Sequence, residues 1–389
     1  MTSSSRSYAL KSAFAAAALA AIAAGCGPKD GSAAYAEGNA AYAARDLVRA
    51  AKCFDESLKL TPDSADTWLM LARVRMEQGD MDGASAASAR ASELAPGDAD
   101  VIEIAGQIAY LQKDAAKARE AFATLARSED AQVRSRGYCS LGVMEMASIA
   151  GSGATADLCA ARARVALLTA VRFDGRNACA RYHLGRLYRD AFGYNEAALD
   201  QFELFVRLES KDGERVRSVQ RRVIPELRDT IAKAAARRTG ADRRDSAASA
   251  AALKKGDEAF AKGQFKTARL RYGEALQADV LSYQAAIGLA KSWEKTDVTS
   301  NGQAEALKCY KVAAQLRPSS YAALMATGNL AVKLGHNAAA VEAYSRAMAV
   351  KPSDISAIDG LIRSLRKCDK PKAASVYQDY RSALPAPRR

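Results

Sequence analysis

Residues 62–96 read PDSADTWLMLARVRMEQGDMDGASAASARASELAP, and this stretch decides the fold. Pro62 and Pro96 stand 34 residues apart, with Gly79-Asp80 midway between two helix-forming runs. Trp68, Leu71 and Ala72 fall at helical spacing on the first run, and Ala84 and Ala91 on the second. Glycine permits a tight turn between two helices, and proline ends the second and sets the link to whatever follows. The same 34-residue interval returns at Pro318 and Pro352. A fixed period of this length is the mark of a repeat architecture, in which each unit buries its apolar face against its neighbours.

The pattern extends in both directions. Phe54 stands eight residues before Pro62, Ala50 four before Phe54, and Gly38 twelve before Ala50. A third unit, from about Ala99, has Gly106, Ala118 and Phe122 in register, with Asp130 where proline would stand. A fourth carries Leu141-Gly142 on its first helix and Ala163, Leu167 and Ala170 on its second, with an inserted loop at Gly151-Ser152-Gly153-Ala154-Thr155. A fifth has Leu184-Gly185, Tyr188, Ala198 and Phe202, and one extra residue before Gly193. The sixth has Gly256, Gly263, Ala268, Tyr272 and Ala275. The seventh has Gly288, Ala306, Tyr310, Ala313 and Pro318, with an insertion near 297–302. The eighth has Gly328, Gly335, Ala340, Tyr344, Ala347 and Pro352. The ninth is degenerate, with Ile358, Leu361, Leu365, Ala373, Tyr377, Tyr380 and Pro385. Degeneracy suits a terminal unit whose outer face meets water.

These offsets resemble the tetratricopeptide repeat, whose units are two antiparallel helices. The resemblance implies an all-α fold: a right-handed α-solenoid of helix-turn-helix repeats in two blocks. The first block spans 31–210, with about five repeats, and the second 249–389, with about four. Between them, 211–248 reads as a basic helical linker, in which Pro225 kinks or splits the helix. Small residues such as Gly38 and Ala72 belong where the first helix meets the second, and an aromatic such as Phe54 belongs in the gap between units. The composition agrees: 49% of the chain is apolar, which is enough for a continuous core, and only nine prolines interrupt the helix formers.

The N-terminus reads as a targeting segment over 1–25. Arg6 and Lys11 precede an apolar stretch at 13–24 that is too short for a spanning helix. Ala23-Ala24-Gly25-Cys26 resembles a bacterial lipobox, although the family has Leu or Val where Ala23 stands. The resemblance implies lipidation at Cys26, with palmitate among the acyl chains, and an anchor on the periplasmic side of the outer membrane. The alternative is an ordinary secretory signal cleaved near Gly25, with Cys26 incidental. Either way the chain is expected in the bacterial cell envelope.

No motif for catalysis or phosphate binding occurs: there is no G-x-x-x-x-G-K-[ST], H-E-x-x-H or G-x-S-x-G. Only His183 and His336 are present, and the cysteines beyond Cys26 (Cys53, Cys139, Cys159, Cys179, Cys309 and Cys368) form no C-x-x-C pair. The sequence therefore predicts no enzyme, no metal, no cofactor and no small-molecule substrate, and buried free thiols for most of the cysteines. The expected function is a scaffold or adaptor. In the family the first helix of each unit lines a concave surface that binds peptides. Carried onto this chain, that lining comprises Tyr35, Asn39 and Tyr42, then Arg73 and Met76, then Gln107 and Tyr110. Tyr182, Arg186 and Arg189 follow in the fifth unit, then Phe260, Asn329, Arg363 and Arg366. Aromatic and Arg side chains are the types that anchor protein partners. The family's carboxylate clamp pairs Lys with Asn, but Tyr35 and Met325 stand where the Lys should be, so that activity is not expected. The net charge of +13, densest over 215–244, suggests a second reading as a binder of anionic membranes or envelope polymers. Nucleic acid is not expected, because no aromatic residues interleave with the arginines.

Overall fold

The computed structural model describes residues 31–151, 153–209, 213–239 and 245–385. The 1–25 segment and Cys26 lie outside the described residues. The described chain is all-helical. Its helices are α1 (Ser32–Ala43), α2 (Leu47–Leu60), α3 (Ala65–Gln78), α4 (Met81–Leu94), α5 (Ala99–Leu111), α6 (Ala115–Ala126) and α7 (Ala131–Ile149). There follow α8 (Ala156–Phe173), α9 (Ala178–Leu187), α10 (Asn195–Leu208), α11 (Glu214–Ser218), α12 (Ile224–Thr239), α13 (Ser246–Ala261) and α14 (Phe265–Ala278). The last are α15 (Tyr283–Thr296), α16 (Ser300–Leu316), α17 (Tyr321–Lys333), α18 (Asn337–Val350), α19 (Ile355–Lys367) and α20 (Pro371–Ser382). Successive helices pack in adjacent pairs, as an α-solenoid requires.

Local chemistry sets the boundaries with the repeat's own period. The turn inside a unit needs one residue in the left-handed region, and it falls at Arg45, Gly79 and Lys113, and again at Gly335 and Asp369, at 34-residue spacing within each run. The aspartate after each of the first three turns, Asp46, Asp80 or Asp114, accepts a hydrogen bond from a backbone N–H three residues on and caps the second helix. Between units, proline breaks the helix and the residue two places later caps the next one: Ser64, Asp98, Ser320 and Asp354.

The chain divides into two compact units, Met1–Leu141 and Gly142–Arg389, with the boundary inside α7. The basic stretch expected as a linker lies within the second unit. There Val216, Val219, Ile224 and Leu227 are buried, and α12 packs against α10. Pro225 does not split the helix. It sits at the start of α12, and the preceding Val219–Val223 widens into a π-helical turn that absorbs the missing N–H. A second π-helical turn at Tyr188–Phe192 takes up the extra residue before Gly193. The terminal unit also departs from expectation. Ala373, Ala374, Tyr377 and Tyr380 on α20 are buried, and α20 packs against α8 instead of turning that face to water.

The core rests on one recurring contact. Phe54 lies against Gly38, Phe122 against Gly106, and Phe202 against Gly185. In the second unit two rings are shared by consecutive repeats: Tyr272 sits between Gly256 and Gly288, and Tyr344 between Gly328 and Gly360. A Cβ at Gly360 would come within 2.5 Å of the Tyr344 ring. Gly273, on α14, meets nothing within 4 Å. Replacing a helical glycine by alanine recovers about 0.5–1 kcal/mol of helix propensity. Overpacking a filled core costs about 1–3 kcal/mol. Gly273→Ala is therefore expected to raise the urea midpoint and Gly360→Ala to lower it; the same sign at both sites would contradict the packing described.

Candidate functional site

First helices of consecutive units touch one another directly, α3 with α5, α13 with α15, and α17 with α19, so each series presents a shared face. In the first unit that face carries Tyr35, Asn39 and Tyr42 on α1, Arg73 and Met76 on α3, and Gln107 and Tyr110 on α5, all half-buried. Tyr35 rests on the Phe54 ring, with centroids 5.8 Å apart, so it is partly a packing residue. The Tyr42 hydroxyl donates to Glu77, which also pairs with Arg45 at 2.9 Å. Burial and the Glu77 carboxylate push the Tyr42 hydroxyl up to about 12, while Arg73 and Arg45 oppose that shift. Further along, Arg136 on α7 donates from Nε to Glu103 at 2.7 Å and also reaches Asp100. Burial works against the Arg136 charge, but Glu103 and Asp100 outweigh it and raise its pKa. Glu77, Glu103 and Arg136 were not foreseen. Their only signal is position, 35 residues from Tyr42 to Glu77 and 33 from Glu103 to Arg136, close to one repeat.

In the second unit the structure separates the expected residues by role. Tyr182 packs on Phe205 and Phe202, at centroid distances of 5.2 and 6.0 Å, and the Arg215 guanidinium stacks over its ring at 5.1 Å. It is therefore covered by the chain's own α11. Arg186 and Arg189 remain half-exposed, both directed to Asp190, at 3.7 and 2.6 Å. Asn329 accepts the Tyr344 hydroxyl at 2.7 Å. Burial raises the Tyr344 pKa, and Arg363, which faces the same hydroxyl, lowers it. Arg363 and Arg366 line a small cleft of about 240 Å³ with Asp359 and Arg381.

A larger cleft, of about 350 Å³, opens around Phe260. It is lined by Asp257, Phe260, Tyr272, Tyr283, Ile287 and Lys291. Tyr272 donates to Asp257 at 2.7 Å, and Tyr310 to Glu294 at 2.6 Å, the same link that joins Tyr344 to Asn329. Three neighbouring repeats thus tie a second-helix tyrosine to a polar residue on the first helix. Burial and the acceptor carboxylate raise the Tyr272 and Tyr310 pKa values.

Three cations of the basic stretch make ion pairs. Arg222 pairs with Glu226 at 3.1 Å, Arg228 with Glu203 at 2.8 Å, and Lys233 with Asp229 at 2.8 Å. No group of metal-binding residues occurs among the described residues, and none of their helices is long and apolar enough to cross a membrane. Cys53, Cys139 and Cys159 are buried, Cys179 is exposed, and Cys309 and Cys368 are half-buried.

A family model described as tetratricopeptide repeat matches residues 41–108, and a second of the same description matches 7–65 and 299–355. Tetratricopeptide repeats are identified over these matched residues. Such repeats support a role in holding other proteins. Solved structures similar to this chain include YrrB, described as a TPR protein with an unusual peptide-binding site. It is 14% identical, with 56% of this chain and 93% of that one covered and a TM-score of 0.30. The TPR domain of P58(IPK) is 15% identical, covering 86% and 96%, with a TM-score of 0.25. MamA is 15% identical, covering 62% and 90%, with a TM-score of 0.24. No curated protein matches the chain.

The Tyr42 link has a defined pH signature. Because its folded pKa is raised from 10.0 to about 12, its contribution is whole below pH 10 and is lost as pH rises through 12. Tyr42→Phe should cost about 0.5–1.5 kcal/mol at pH 8, and the gap to the parent should close at the alkaline end. Urea unfolding at stepped pH measures both; a gap unchanged up to pH 12 would refute the assignment.

Proposed function

We propose that this chain is a protein-interaction scaffold of the bacterial cell envelope, anchored by a lipid at Cys26 and holding partner proteins on its first-helix faces. The observation that carries the binding half is the cleft at Phe260. The Phe260 and Tyr283 rings and Ile287 in its lining suit an apolar anchor, while Lys291 and Asp257, the latter already accepting from Tyr272, supply one charge of each sign. A groove of this kind takes a short extended or helical segment of a partner protein and needs no catalytic group. The half-exposed Arg186 and Arg189 and the exposed Asn329 and Arg363 extend the same chemistry to other repeats.

The anchor half rests on the sequence alone, on small residues ahead of Cys26. It places the repeats on the periplasmic side of the outer membrane. The second reading is a binder of anionic membranes or envelope polymers through the basic stretch, in which Arg222, Arg228 and Lys233 pair with acids on α10 and α12.

Crosslinking and affinity capture from membranes should recover a specific protein partner with the parent chain. With Phe260→Ala combined with Lys291→Glu, and helix content unchanged by circular dichroism, recovery should fall about tenfold or more, the scale of one lost anchor. Undiminished recovery would exclude this cleft as the docking site. Labelling with a palmitate analogue should be abolished by Cys26→Ser; retained label would exclude the anchor.

A further inference from the structure

A repeat array holds together through neighbour contacts. The second unit has an additional joint between residues far apart in sequence. α8 packs against α20, and three cations cross the seam. Arg164, fully buried on α8, donates to the Ser345 Oγ at 2.8 Å and to the Ser345 carbonyl at 2.6 Å. Arg172 donates to the Ala383 carbonyl at 2.6 Å and lies over the Tyr380 ring. Lys370 pairs with Asp157 at 2.5 Å. The partners are 181, 211 and 213 residues apart.

The seam differs in chemistry from the joints between successive repeats, which press rings onto glycines. Its centre is a guanidinium bonded only to neutral groups. Arg164 faces the hydroxyls of Tyr188, Tyr377 and Tyr194, and its Cζ lies 5.5 and 5.2 Å from the Tyr188 and Phe192 ring centroids. Its Nε has no hydrogen-bond partner. Removing such a charge from water costs several kcal/mol, and neutral acceptors with aromatic faces offset only part of that. Such a contact fixes geometry more than it adds stability. Beside the seam, a cleft of about 490 Å³ opens between α10 and α18. Tyr194, Asp200 and Leu204 line one side, and Pro318, Arg346 and Val350 the other.

We propose that the α8–α20 seam is a separable joint. The second unit exchanges between a closed state pinned by Arg164 and an open state in which α8 and α10 part from α18–α20 while α13–α20 stay stacked as one. The cleft beside the seam is complete only in the closed state.

Hydrogen exchange on the full chain tests this. In the parent, 156–173 and 371–382 should exchange together and at least tenfold faster than 283–333. Arg164→Ala should raise exchange at 156–173, 337–350 and 371–382 by a further tenfold or more, with 265–296 unchanged. Exchange at 371–382 alone, with 156–173 fully protected, would be fraying of the chain end and would overturn the proposal. So would an even rise throughout the second unit, which would make Arg164 an ordinary core residue. Should Arg164→Ala not fold, the parent profile decides, together with Arg172→Ala combined with Lys370→Ala, which should loosen the same two segments in concert.

Discussion

An aromatic ring pressed against the bare Cα of a helical glycine sets the spacing of this molecule. The ring of Tyr344 fills the space that side chains at both Gly328 and Gly360 would need, and so locks three helices, α17, α18 and α19, at one separation. Tyr272 does the same between Gly256 and Gly288, and Phe54, Phe122 and Phe202 each press on one glycine. Helices this close leave their first-helix side chains on a shared face, and that face is where the candidate binding residues lie. Where the ring is a tyrosine, its hydroxyl continues to the first helix: Tyr272 to Asp257, Tyr310 to Glu294 and Tyr344 to Asn329. The packing residue therefore also positions a lining residue.

Much of the fold was legible because each unit repeats the same local chemistry. Proline, the capping residue after it and the small residues on the first helix all announce themselves at a fixed interval. The turn was only partly legible. Gly79 was visible, but Arg45 and Lys113 occupy the same left-handed position without the glycine that would signal it. The seam was not legible at all. Arg164 reads as one more arginine on a helix, and nothing local connects it to Ser345.

The candidate site was legible as a set of positions and not as a set of roles. Register placed Tyr182 on a first helix, yet the fold-back of α11 lays Arg215 over it. Register placed Asn329 on a first helix too, but its acceptor is already engaged by Tyr344. Arg186 and Arg189 share Asp190. These internal links hold the lining side chains in place before any partner arrives, which lowers the ordering cost of binding. They also mean that a partner must displace or extend an existing hydrogen bond. The cleft at Phe260 lowers that cost, since Phe260 and Ile287 offer apolar contact beside the Tyr272–Asp257 link.

The ring-on-glycine contact is the claim on which the rest stands, and a double-mutant cycle at Tyr344 and Gly360 tests it most directly. With leucine at 344, the ring atoms that crowd position 360 are gone. Gly360→Ala should then cost little or nothing, giving a coupling of about 1–3 kcal/mol between the two substitutions in urea unfolding. Additivity within about 0.5 kcal/mol would show that ring and glycine do not determine each other, and would contradict the account.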